Sequence, residues 1–271
     1  MKPIRIITLV FLSVILFGMT NKKTKKLPDQ LIRINDSTFI DKYEITIQDY
    51  KNFLYDKLAS THNKHSIDTM LPNPNYVNWF DGHWTYNTIY EVSDSSISHH
   101  LVLWWKPIVN ISKKQAEEYC EWRTKNWQRI YGKMPAKSKS KYYKDILFRL
   151  PDYQEWLAAA SCGLDSSLYP TGKIKKARRN DFPVCLDYFT RAEKDSGMLM
   201  PQGGAEAWKY GIRNDKNIFN MCGDVAEFIR DKDFVAGGSF RDPLSQCRVS
   251  SWKVFEKPND ATGFRCVAVI K

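Results

Sequence analysis

The sequence predicts an α+β fold of short helices and short strands with much ordered loop. Three observations lead there. Helix-start signatures occur at three places, and each opens only a short amphipathic segment. The 271 residues are 43% hydrophobic and 14% aromatic, with nine Trp and fourteen Tyr. That is enough to bury a core and to hold irregular chain by aromatic packing. The stretches 59–105 and 163–216 carry Trp, Tyr and Pro throughout, so they read as packed loop although structureless loops of such length are uncommon in compact domains.

The elements follow in order. Strand-like pieces lie at 31–34, 108–111, 148–150, 234–240 and 264–270. Thr46 with Asp49 forms a capping box that opens TIQDYKNFLYDKL, where Tyr50, Phe53 and Leu54 share a face. Ser112 with Gln115 opens SKKQAEEYCEWRTKNW, where Ala116, Tyr119, Cys120 and Trp127 share a face. Asp152 with Glu155 opens DYQEWLAAAS directly after Pro151. Lys133 to Lys141 reads as an exposed insertion, and no internal repeat is visible.

Lys2 and Arg5 precede an uncharged run, 6–19. That is the charged and apolar layout of an export signal, and the run is short against the roughly 20 apolar residues of a spanning helix. Residues 1–20 are therefore expected to be an export signal peptide or a membrane anchor, 21–30 a basic linker, and 31–271 one domain. No Cys lies in or just after the run, so no lipidation site is expected. The chain is expected outside the cytoplasm, in the periplasm, the cell envelope or the medium, where disulfides survive. Membrane association would come through the N-terminal segment.

The formal net charge is +11, concentrated in NKKTKK (21–26), KMPAKSKSKYYK (133–144) and KIKKARR (173–179). No recognition helix or stacking pattern accompanies it, so these runs read as solvated loops and no nucleic-acid partner is expected. The six Cys contain no C-x-x-C pair, which argues against a thiolate zinc site. All five His lie at 62, 65, 83, 99 and 100. They are the only supply for an imidazole metal site.

Several segments, in this order, resemble the sulfatase-modifying-factor family, whose founding activity is the formylglycine-generating enzyme. They are DKYEITIQDYKNFL (41–54), KPIVNISKKQAEEYCEWRT (106–124), FRLPDYQEWLAAAS (148–161), NMCGDVAEF (220–228), AGGSF (236–240) and GFRCVA (263–268). The resemblance implies an elaborated C-type-lectin-like domain. It also implies a Cys120–Cys266 disulfide and a structural calcium held by Asn220, Gly223, Val225 and Glu227. Hard cations take such amide, carbonyl and carboxylate oxygens, and a polar glycine turn without metal is the alternative. Asp224 stands where the family has Asn.

The resemblance also fixes what GGSFRDPLSQC (237–247) means. The enzyme uses two thiolates for Cu(I), a soft ion suited to sulfur. Those positions fall here on Asp242 and Cys247. A carboxylate cannot complete a two-sulfur copper site, so copper is not expected. Cys247 and Ser239 remain the weak catalytic candidates. Cys247 otherwise reads as small core filler or as a disulfide partner of Cys162, Cys185 or Cys222. A narrower resemblance, over YCEWRTKNWQRIYGK and the segment to Pro170, is to gliding-motility-associated lipoproteins of a secretion apparatus. The expected function is a non-catalytic binding or scaffold component of the envelope, with a protein or glycan partner. The competing expectation is a metal-dependent oxidase acting on a protein cysteine.

Overall fold

A computed structural model describes residues 25–28, 30–73, 107–165, 169, 213–239, 241–242 and 244–271. The elements in chain order are β1 (Leu31–Arg33), β2 (Thr38–Asp41), α1 (Ile47–Thr61), α2 (Lys113–Lys133), α3 (Ala136–Lys139) and β3 (Ile146–Arg149). Then come α4 (Tyr153–Ser161), β4 (Ala226–Phe228), β5 (Phe234–Ala236), β6 (Trp252–Val254), β7 (Thr262–Gly263) and β8 (Val267–Ile270). Among the described residues there are two four-stranded sheets, ordered β1-β2-β8-β3 and β6-β5-β4-β7. The first is antiparallel throughout. In the second only β4 and β7 run parallel.

All three predicted capping boxes form. Thr46 and Asp49, Ser112 and Gln115, and Asp152 and Glu155 exchange side-chain and backbone contacts at the starts of α1, α2 and α4. Each satisfies backbone N–H groups that the first helical turn leaves without partners. Helix α1 ends at His62, whose left-handed backbone (φ 53°) turns its N–H onto Leu58 O. The faces are those the sequence marks: Tyr50, Phe53 and Leu54 on α1, and Ala116, Tyr119, Cys120 and Trp127 on α2, are buried. Tyr50, Phe53, Tyr119 and Phe264 form an aromatic cluster with ring centroids 5.3–5.9 Å apart.

The strands differ in detail from expectation. Residues 108–111 make no strand; Pro107 bridges Thr46, and Ile108 and Ile111 simply plug the core. The 234–240 run stops at Ala236, because Gly237 and Gly238 turn left-handed (φ 90° and 67°). The 264–270 run splits, leaving Phe264, Arg265 and Cys266 outside the ladders of β7 and β8. The lysine-rich insertion carries the short helix α3 and no buried residue. Among the described residues no helix is long and apolar enough to cross a membrane. The expected export segment lies outside the described residues.

The two sides of α1 should respond differently to truncation. Phe53→Ala removes a fully buried ring and is expected to cost about 3–5 kcal/mol in urea unfolding. Tyr55→Ala, on a side chain 53% exposed, should change it by less than about 0.5 kcal/mol.

Candidate functional site

The segments that carry the family resemblance converge on a buried ionic centre built around Arg265. Its guanidinium is fully buried. Nε donates to both oxygens of Glu227 at 2.8 Å, and NH2 donates to Oε1 at 2.6 Å. NH1 donates to Asp41 O and NH2 to Phe219 O. Trp156 Nε1 donates to Glu227 Oε2 at 2.8 Å. One fork thus ties the C-terminal segment to β4, β2, α4 and the loop before β4. A second fork lies beside it: Arg123 on α2 donates twice to Asp41, at 2.6 and 2.8 Å, while Cys266 N donates to the same carboxylate.

Glu44 stands at the edge of this centre, with Oε1 3.6 Å from Arg265 NH2 and no hydrogen bond to that oxygen. Asp224 is also buried. Glu227 and Glu44 therefore face one guanidinium, and the charge of Asp224 acts on Glu44. Burial pushes the Glu44 carboxyl well above its ordinary 4.5, the charges of Asp224 and Glu227 push it further, and Arg265 opposes them.

The predicted calcium ligands can be tested against this geometry. Asn220, Gly223 and Asp224 all take left-handed backbone (φ 55°, 77° and 59°), which makes the sharp turn such a loop needs. Asn220 Nδ2 donates to Asp224 at 2.9 Å and to Glu44 at 3.4 Å. Glu227, however, is taken by Arg265 and Trp156. A guanidinium already neutralises the one carboxylate of the predicted set, and a dication beside Arg265 would meet like charge. As placed, these four residues do not fit a calcium ion. Sequence reasoning missed Arg265 and Glu44 as partners. Their signal was a charged residue inside an apolar run, as in GFRCVAVI and YEITI.

Cys120 Sγ and Cys266 Sγ lie 3.3 Å apart as two buried thiols. A disulfide needs about 2.05 Å; the helix and the segment after Phe264 already bring the sulfurs to touching distance. Burial pushes the Cys120 thiol well up, and its contact with Cys266 adds to that.

The Gly-Gly-Ser turn is built by close approach. A Cβ on Gly238 would come 2.6 Å from Gln246 O and 2.7 Å from Cys247 Sγ, and one on Gly237 would come 3.0 Å from Trp156. Ser239 is fully buried; its N–H and hydroxyl donate to Asp242 Oδ2 at 2.8 and 2.6 Å. Lys253 Nζ donates to the same oxygen. Cys247 is fully buried against Gly238 and clusters with Cys222, with Tyr169 packed on the pair. Ser239 and Asp242 are thus brought together, and Cys247 Sγ lies buried 4.0 Å from Ser239 O, beside Cys222. Among the described residues no group of three or more His, Cys, Asp or Glu is arranged to hold a metal. His65 pairs with Asp68; His83, His99, His100, Cys185 and Asn180, the last a possible second calcium ligand, lie outside the described residues.

The fold and this turn define a class. The family model described as sulfatase-modifying factor enzyme 1-like domain matches residues 9–270. The chain belongs to that family, and its α+β architecture is of the formylglycine-generating-enzyme type. Solved structures similar to it include Treponema denticola variable protein 1, with TM-score 0.49, 16% identity, and 92% of this chain and 94% of that chain covered. PvdO from Pseudomonas aeruginosa has TM-score 0.48 and 14% identity, over 86% of this chain and 80% of that one. CarF has TM-score 0.49 and 16% identity, over 89% and 93%. No curated protein matches the chain.

The Glu44 geometry gives a pH dependence with a definite sign. A carboxyl whose folded value is raised stabilises the fold fully below its unfolded value near 4.5, and that contribution is lost as pH rises through the folded value. Wild-type stability relative to Glu44→Gln should therefore fall between acid and neutral pH in urea unfolding series. A difference that is flat or grows with pH would contradict the assignment.

Proposed function

We propose that this chain is an exported, non-catalytic member of its family, acting as a binding or scaffold component of the cell envelope or of its secretion or gliding machinery. The observation that carries the reading is Asp242. It stands at the first of the two positions where the family's enzyme has copper thiolates, and its Oδ2 oxygen is held by the Ser239 N–H, the Ser239 hydroxyl and Lys253. An oxygen anion so engaged is a turn clamp. It offers a soft metal nothing that a thiolate would.

The second position supports the same reading. Cys247 is fully buried, with its sulfur against the backbone of the glycine turn. Ser239 is fully buried too, so its hydroxyl is out of reach of a protein substrate. Nucleophiles that work on macromolecules need access as well as activation. The chain keeps the family's frame and its turn, and what remains available is surface.

The test is direct. Purified chain would be given Cu(I), oxygen and a peptide carrying the Cys-x-Pro-x-Arg sulfatase motif, with peptide mass and bound copper as readouts. We expect no conversion and no stoichiometric copper. Conversion of the peptide cysteine to formylglycine would overturn the reading.

A further inference from the structure

Helices α1 and α2 flank an open groove of about 460 Å³ that, among the described residues, is lined by their own side chains. None of these residues belongs to the glycine turn or the Arg265 centre except Arg123. The groove is mixed in chemistry. Trp122 lines it, with its ring held by Phe53 and Tyr119 at 5.5 and 5.4 Å. Tyr55 lines it too and is 53% exposed. Asn52, Asp56, Asn126 and Arg129 supply the polar groups.

These polar groups are pre-set by one another. Asp56 accepts from Trp122 Nε1 through one oxygen and from Arg129 through the other, both at 2.8 Å. Arg129 also donates to Asn126 Oδ1, and Gln48 donates to Asn52 Oδ1. The NH2 groups of Asn52 and Asn126 have no acceptor among the described residues. The charges cancel: Asp56 faces Arg129, while Asp49 caps Thr46 and Arg123 is spent on Asp41.

This combination selects by elimination. A lining with balanced charge gives no net pull on an anion or cation. A lining rich in amide, carboxylate and guanidinium groups is a poor seat for an apolar molecule. What it suits is a neutral molecule with apolar C–H faces for aromatic rings and hydroxyls that both donate and accept. We propose that the α1–α2 groove binds a neutral saccharide unit of a glycan. Trp122 and Tyr55 supply the stacking surfaces; Asn52, Asn126 and Asp56 read the hydroxyls. The proposal rests on the binding-module reading and names the ligand class.

The test is calorimetric titration of the full chain with cellotetraose, mannotetraose and chitotetraose, with a sulfated heparin tetrasaccharide as control. Saturable binding of at least one neutral sugar is expected. It should weaken about tenfold in Asn52→Ala and in Tyr55→Ala, both exposed side chains whose removal leaves the unfolding midpoint unchanged. No binding by any of the three, tighter binding of the sulfated sugar, or binding unaffected by both variants would overturn it. The peptide assay reads the parent proposal separately. No conversion with no sugar binding sinks the groove alone; conversion with sugar binding sinks the non-catalytic reading alone.

Discussion

The interaction on which this fold depends is the buried pairing of Arg265 with Glu227. Isolated charges are strongly disfavoured in a dry core, and burying a pair is tolerable only when every donor and acceptor is placed. Here the guanidinium meets both carboxylate oxygens and two backbone carbonyls, and the carboxylate takes an indole N–H as well. The contacts come from parts of the chain far apart in sequence: β2, α4, the loop before β4, β4 itself and the segment before β8. One ion pair therefore ties the two sheets together, through Glu227 on β4 and the Asp41 carbonyl on β2. The neighbouring Arg123–Asp41 fork brings α2 onto the same point. Short strands of two to four residues have little pairing energy of their own, so such a fixed centre decides their placement.

The same centre explains what happens at the family's functional turn. Trp156, whose indole holds Glu227, is also the side chain that Gly237 must clear. Gly238 then lets the chain pass against Cys247. The turn is thus an extension of the core. On this turn Asp242 is clamped by Ser239 and Lys253.

Much of the helical fold was legible in the sequence because its determinants are local. A capping box and a 3.6-residue apolar period lie within a few residues of each other, and α1, α2 and α4 follow them closely. The strands were less legible. Thr38–Asp41 and Trp252–Val254 have no apolar run to mark them, and 108–111 has one without being a strand. Residues this short take their state from what they pack against. At the site, spacing placed Asp242 and Cys247 in the glycine turn, which is a local property. It could not reveal that Glu227 would face Arg265, because that pairing joins residues from separate segments through space.

The most direct measurement is thermal unfolding of the purified chain in the presence of EDTA and again with millimolar calcium. An internal guanidinium at the centre of the core predicts the same midpoint in both, since a ligand that does not bind the folded state cannot stabilise it. A midpoint that rises by several degrees with calcium and falls back on chelation would contradict the account. It would mean that a metal ion, not Arg265, completes the site at Glu227.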